Sequence, residues 1–208
     1  PEIDSELGLS VYSTKFPGTK GKIKQTNEDF EVSEVISEKA LHAISEDSGH
    51  SVYLLRKNGI DTNHALRDVE KRYGLMLRAL GLKDSNAVTE QFVQTKTMSR
   101  SLEKIEGKKY SLKRIGFSKK PIAKQDMLGN KFRIKISDSI NDISKFTEHD
   151  KILNFFGYQR FGSRRPITHL VGKAIIQKNY QDAVDFLLGY SSKYDSEENN
   201  HYRKLISE

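Results

Sequence analysis

The chain has no cysteine in its 208 residues. That excludes disulfides and thiolate-held metal within it. No run of 18 or more apolar residues occurs, so no segment reads as a membrane-spanning helix. The first residues lack a basic stretch followed by an apolar one, the pattern of a secretory leader. A cytoplasmic location is the economical expectation from these features. The six histidines show no metal-ligand spacing, and no metal is expected. There is no G-x₄-G-K-[ST] phosphate loop and no G-x-G-x-x-G fingerprint, and Gly18-Thr19-Lys20-Gly21-Lys22 is too short to replace either. No G-x-S-x-G elbow is present. Nucleotide hydrolysis, hydride transfer and serine or cysteine hydrolysis are therefore poorly supported. No internal repeat or low-complexity tract stands out.

What is present suits a globular protein: 36% hydrophobic and 30% charged residues, with a net charge of +7. The charge is concentrated. Between Lys96 and Lys124 there are ten Lys or Arg and two Glu, a local +8. Such a band favours a polyanionic partner through counterion release. The plainer reading is a solvated hairpin whose lysines protect a sheet edge.

The pattern along the chain is mixed. Residues 1–20 read as an arm. Residues 21–38 alternate in the manner of a strand, with Phe30 as its first core position. Ser51 to Lys57 is a second strand, followed by an Asn58-Gly59 turn. Asp61 or Thr62 can then cap a helix that turns Ala65, Leu66, Val69 and Tyr73 to one side and stops at Gly74. Further strands are expected over residues 92–97, 109–118 and 131–136. The last of these alternates strictly, which predicts one buried and one basic face. In residues 109–118, Ile115 and Phe117 stand in a different register from Tyr110 and Leu112. Helices are expected over residues 145–153, 166–178 and 180–188. The second should turn Ile167, Leu170, Val171, Ala174 and Ile175 inward. Residues 191–200 are acidic and polar and read as a flexible loop, and 201–208 as the start of a further element. The fold class implied is α+β, with a mixed, mostly antiparallel sheet flanked by helices.

Two segments fit neither helix nor strand. Gly81-Leu82-Lys83-Asp84-Ser85-Asn86-Ala87-Val88-Thr89-Glu90-Gln91 gathers a glycine, an acid and small polar residues at an element boundary. Asn154-Phe155-Phe156-Gly157-Tyr158-Gln159-Arg160-Phe161-Gly162 combines four aromatics with an amide and a guanidinium. Aromatic faces can stack on bases and arginine can hold phosphate, although core packing explains some of these aromatics equally well. Taken alone, Lys24 and Phe30 read as an exposed lysine and a core residue, and Asn130 as a turn residue.

Together, the two segments, Lys24 with Asn27-Glu28-Asp29-Phe30 and Glu34, and Leu128-Gly129-Asn130-Lys131-Phe132 resemble the TruD family of tRNA pseudouridine synthases, on its archaeal and eukaryotic side. The similarity covers roughly residues 21–172. It implies an isomerase that converts uridine to pseudouridine in tRNA, with the D-arm uridine at tRNA position 13 as the family's target and no cofactor. By motif Asp84 is the catalytic carboxylate, attacking ribose C1′ or accepting a proton at C2′. Lys24 is the family's partner for it, and Lys83 is the sequence neighbour. Phe156 would face the base, Asn154 would bond the uracil edge or the ribose, and Phe30 would wall the pocket. Lys83, Lys108, Lys109, Lys113, Arg114, Arg160, Arg164 and Arg165 would grip RNA backbone. The family is longer than this chain. The resemblance therefore implies a possibly truncated catalytic domain over residues 21–190, with 191–208 leading into a family-specific insertion. A non-catalytic RNA-binding module or an inactive fragment is the alternative.

Overall fold

The computed structural model describes residues 2–9, 11, 15–16, 18–44, 48–98, 102–140, 144 and 157–207. The helix expected over residues 145–153 lies outside them, as do Asn154, Phe155 and Phe156. The chain divides into two compact units, Gly18–Ile143 and a second made of Pro1–Pro17 with Ser144–Glu208. These units are cut differently from the expected segments 1–20, 21–190 and 191–208.

The larger unit is built on a seven-stranded sheet. Its strands are β1 (Phe30–Ile36), β2 (His50–Asn58), β3 (Leu77–Ala79), β4 (Val88–Thr95), β5 (Lys104–Glu106), β6 (Tyr110–Ser118) and β7 (Met127–Ile134). The order is β5-β6-β2-β4-β1-β7, with β3 added to β4. β1 runs parallel to β4 along residues 88–90, and the other pairings are antiparallel. The short strands β3 and β5 are too brief to carry a readable alternation, and neither was expected.

Alternation along β2 puts Tyr53, Leu55 and Lys57 on one face, each at most 1% exposed. Against the two apolar members packs helix α3 (Thr62–Tyr73), which supplies Ala65 and Val69, one turn apart. The helix starts where Asp61 Oδ1 accepts from the His64 amide at 3.0 Å. It stops at Gly74, whose φ of 65° would strain any residue with a Cβ. Leu77, Val93, Ile105, Tyr110 and Leu112 complete this core. A second cluster of Ile36, Ile44, Val52, Ile122 and Ala40, the last from helix α2 (Glu38–His42), packs separately.

The register change in β6 is a bulge. Tyr53 pairs with Arg114 and Val52 with Gly116, which leaves Ile115 as the extra residue. β7 departs from expectation. Its alternation predicts a buried face, yet Phe132 is 54% and Ile134 45% exposed. The strand lies at the end of the sheet order, so only β1 flanks it in the sheet.

The smaller unit contains α1 (Glu2–Glu6), α4 (Thr168–Ile176), α5 (Tyr180–Leu188) and α6 (Glu197–Ser207). In α4, Ile167 at the N-cap and Ala174 are buried and Leu170 and Val171 half-buried, but Ile175 is exposed, against expectation. The expected loop over residues 191–200 is corrected too, because α6 begins within it. Ser196 Oγ caps the helix by accepting from the Asn199 amide at 3.2 Å, and Arg203 reaches back to Asp195 at 2.7 Å. These local contacts turn an acidic, polar sequence into a helix. The expected arm likewise contains α1, whose Glu2 and Glu6 bond Lys193 Nζ at 2.5 and 2.6 Å.

Candidate active site

The strand directions create a meeting point. β1 and β4 are parallel, with Glu31 beside Val88, while β2 runs the other way, with Asn58 beside Val88. The starts of β1 and β4 and the finish of β2 therefore share one end of the sheet. Residues 80–87 feed into β4 there and carry Asp84. The segment feeding into β1 carries Lys24.

Lys24 and Asp84 are 60 residues apart in sequence and form an ion pair, Nζ donating to Oδ2. The other carboxylate oxygen, Oδ1, accepts from the Asn86 amide at 3.0 Å, so the carboxylate is held at both ends. The Lys24 ammonium also lies 4.0 Å from the centroid of the Phe30 ring. Phe30 is half-buried and meets Phe132 edge-on at 6.0 Å between centroids. Lys24 takes a left-handed backbone with φ of 57°, which costs a residue with a Cβ roughly 1–2 kcal/mol. A short 3-10 turn, Asn27–Asp29, follows, where Asp29 Oδ2 accepts from the Thr26 amide at 2.9 Å.

The Asp84 carboxyl is held below its ordinary value of 3.8, chiefly by the hydrogen bond from Lys24. Burial opposes this, and the Asn86 amide and the charges of Lys24 and Lys57 add to the lowering. The side chain keeps 42% of its surface exposed. An ionised, accessible carboxylate beside an aromatic wall can attack a carbon electrophile or take up a proton.

Lys83 corrects an expectation. Its side chain points into the protein, 5% exposed, and Nζ donates to Glu34 Oε1 at 2.6 Å. Glu34 Oε2 accepts from the Phe92 amide at 3.0 Å. An ammonium so committed is available neither to RNA backbone nor as the carboxylate's partner. It anchors the Asp84 loop to β1 and β4 instead. Two more bonds hold that loop: Gln91 Nε2 donates to Gly81 O at 2.9 Å, and the Lys83 amide donates to Thr62 Oγ1 at 3.2 Å.

Lys57 was missed from the sequence. It is 1% exposed, and Nζ donates to the main-chain oxygen of Asp84 at 2.7 Å and of Lys83 at 3.4 Å. Burial pushes its pKa down, while the charges of Asp84 and Asp61 push it back up. The available signal was parity, a lysine standing in line with Tyr53 and Leu55 on the buried face of a strand.

Of the expected RNA contacts, Lys108 and Lys109 are exposed at the turn before β6, at the same end of the sheet as Asp84. Lys109 Nζ donates to Gly59 O at 3.1 Å. Lys113 is exposed midway along β6 opposite Lys104, and the Arg114 guanidinium stacks 4.9 Å from the Phe117 centroid. Arg160 and Arg164 are exposed in the smaller unit. Arg165 is half-buried there, and its Nη1 donates to Leu187 O at 2.9 Å, which gives it a structural task. Among the described residues no cluster of three or more His, Asp or Glu side chains could hold a metal ion, and no helix is long and apolar enough to cross a membrane.

Known proteins share this arrangement of chain. A "Probable tRNA pseudouridine synthase D" from Sulfurisphaera tokodaii is 38% identical over 153 residues, covering 71% of this chain and 41% of that protein. One of the same name from Methanosarcina mazei is 33% identical over 225 residues, covering 100% of this chain and 50% of that protein. The crystal structure of a Methanosarcina mazei protein assigned to tRNA pseudouridine synthase D superposes with a TM-score of 0.80 at 30% identity, over 100% of this chain and 50% of that one. The chain thus spans about half the length of the relatives it matches. The model of one family, tRNA pseudouridine synthase D (TruD), matches residues 6–208, nearly the whole sequence. The sheet that pairs Lys24 with Asp84 is accordingly a TruD sheet, and the chain belongs to the tRNA pseudouridine synthase D family.

Proposed function

We propose that this chain carries the catalytic aspartate of an enzyme that isomerises uridine to pseudouridine in tRNA, and that Asp84 is that residue. One observation carries the reading: the ion pair between Lys24 and Asp84, which the fold assembles from segments 60 residues apart beside the Phe30 ring. By contrast, Asp61 caps a helix, Asp126 closes a turn, Glu31 makes a cross-strand pair and Glu34 is committed to its buried bond with Lys83.

In the reaction the bond between uracil N1 and ribose C1′ breaks, the uracil turns, and C5 bonds C1′. C5 then loses its proton and N1 gains one. Two routes suit an ionised Asp84. It attacks C1′ and is later displaced, or it takes the C2′ proton and returns it. Lys24 keeps the carboxylate ionised in either route. The uridine must leave the stack to reach it, as in other enzymes that act on bases. Phe30 supplies an apolar wall. Phe156 is proposed to face the base and Asn154 to bond the uracil edge or the ribose. Lys108 and Lys109, at the same end of the sheet, with Lys113, Arg114, Arg160 and Arg164, are proposed to meet phosphates. The proposed target is the D-arm uridine of cytoplasmic tRNA.

The test is pseudouridine mapping of tRNA incubated with the intact protein and with its Asp84→Asn variant. Asn is nearly isosteric but neither nucleophilic nor basic. Product should vanish while RNA affinity stays within about twofold, since a phosphate-gripping surface is untouched. Pseudouridine formed by Asp84→Asn would remove the assignment.

A further inference from the structure

We propose that the last two residues of β2, Lys57 and Asn58, are positioning residues that brace the two loops of the site against each other. This rests on the reading of Asp84 as the reactive carboxylate.

Lys57 stands where the strand pattern calls for a hydrocarbon. Tyr53 and Leu55 on the same face are fully buried, and Lys57 is 1% exposed. A buried ammonium is costly unless it is hydrogen-bonded. The bonds it makes are to the main chain under the reactive residue, Asp84 O at 2.7 Å and Lys83 O at 3.4 Å. The carboxylate itself is left to Lys24 and the Asn86 amide. Lys57 thus fixes the base of the loop while its charge acts on the carboxylate through space. The charged groups around it are Asp84 and Lys83 on that loop and Asp61 at the start of α3.

Asn58, the next residue, serves the other loop. Its Oδ1 accepts from Asn27 Nδ2 at 2.8 Å, and its Nδ2 donates to Glu28 Oε1 at 2.7 Å. Asn27 lies three residues after Lys24, and Glu28 follows it. The Asn58 main-chain amide donates to Lys109 O at 2.9 Å, which ties the brace to the turn before β6. Gly59 then passes so close that a Cβ on it would stand 2.8 Å from Asn27 Nδ2, and its φ of +67° disfavours one in any case. Consecutive residues of one strand therefore hold the segment ahead of β1 and the segment ahead of β4. The relative placement of Lys24 and Asp84 depends on where β2 finishes.

The brace predicts rate effects without binding effects. In the intact protein, Lys57→Met should lower the single-turnover rate on saturating tRNA on the order of 100-fold, the scale of an ångström's misplacement. The Kd for tRNA should stay within about twofold, because a residue 1% exposed touches no phosphate. The acid limb of its rate profile should move to higher pH, because a cation that stabilises the Asp84 carboxylate is gone. Lys57→Arg keeps the charge and should leave that limb in place while slowing the rate. Asn58→Ala removes no charge and should slow the rate about tenfold, with the limb moving to higher pH as well, since it shifts the Lys24 loop and so loosens the Lys24 bond to Asp84. Should Lys57→Met fail to fold, the Lys57→Arg and Asn58→Ala results decide. A folded Lys57→Met with the wild-type rate and limb would overturn the proposal, as would Lys57→Arg and Asn58→Ala both at the wild-type rate. Rate losses that vanish on cooling below each variant's unfolding transition would mark a structural role only and also overturn it. Asp84→Asn run alongside separates the failures: activity in that variant would defeat the reading of Asp84, whatever Lys57 does.

Discussion

Lys83 and Asp84 are neighbours in sequence, yet each belongs to a different ion pair. Lys83 turns inward to Glu34, with the two side chains 5% and 0% exposed. Asp84 turns outward to Lys24, with exposures of 42% and 30%. One peptide bond separates a pair sealed into the sheet from a pair open to solvent. The chemistry of the groups is the same, and the dielectric differs. In the sealed pair the charges have lost water and depend on each other and on the Phe92 amide. In the open pair water competes, so the bond adds little to folding. Its carboxylate stays within reach of solvent, 42% exposed. The sealed pair holds the loop, and the open pair is presented by it.

The largest test of that contrast is a swap of consequences. Asp84→Asn should abolish pseudouridine formation and leave the unfolding midpoint in denaturant nearly unchanged. Glu34→Gln should show itself first in stability. By stranding the Lys83 ammonium it should cost about 3–5 kcal/mol in equilibrium unfolding. If Glu34→Gln were as stable as the parent, the division between the pairs would collapse.

A smaller effect is expected from Lys24→Met. The Asp84 carboxyl lies below its ordinary value mainly through the Lys24 hydrogen bond, so losing that bond raises it. The acid limb of the rate profile should then move to higher pH. Stability follows the same sign. A carboxyl lowered in the folded state stabilises the fold above the unfolded value, and that contribution is lost as pH falls through the lowered one. The pair is open, so the stability change should be no more than about 1 kcal/mol. An unchanged acid limb would show that Lys24 does not control the carboxyl. Opposite in sign to Glu34→Gln should be the effect of replacing both sealed partners. Lys83→Met with Glu34→Leu removes two buried charges at once and should fall between neutral and about 4 kcal/mol more stable, far from the single variant. Urea unfolding of the double variant checks this, and a loss as large as that of Glu34→Gln would mean that the charges do more than satisfy each other.

Much of the sheet was legible. β1, β2 and β6 follow alternation, and α3 follows its spacing of Ala65 and Val69 with Asp61 and Gly74 at its ends. Alternation reports burial only where something covers the strand, which is why β7 misled. The helix α6 was missed because its caps are polar side chains bonding back to their own loop, and composition counts such residues as solvated. The site was legible in part. Lys24 by its local sequence is an ordinary surface lysine, and only its likeness to a family motif joined it to Asp84. The direction of Lys83 could not be read, because an irregular loop has no period from which to tell inside from outside. Lys57 left a readable mark, a charge at a buried parity, whose meaning depended on which loop would lie over it.

The parallel pairing of β1 with β4 has a consequence for the order of events during folding. Antiparallel neighbours can zip from a turn, but parallel ones must wait for the chain between them. Here α2, β2, α3 and β3 intervene between Ile36 and Val88. Pairings across such a distance close late, after local structure has formed. While the chain is being synthesised, Lys24 emerges long before it has Asp84 to meet. The Lys24–Asp84 pair can assemble only once the centre of the sheet has formed, so a nascent or half-folded chain lacks it.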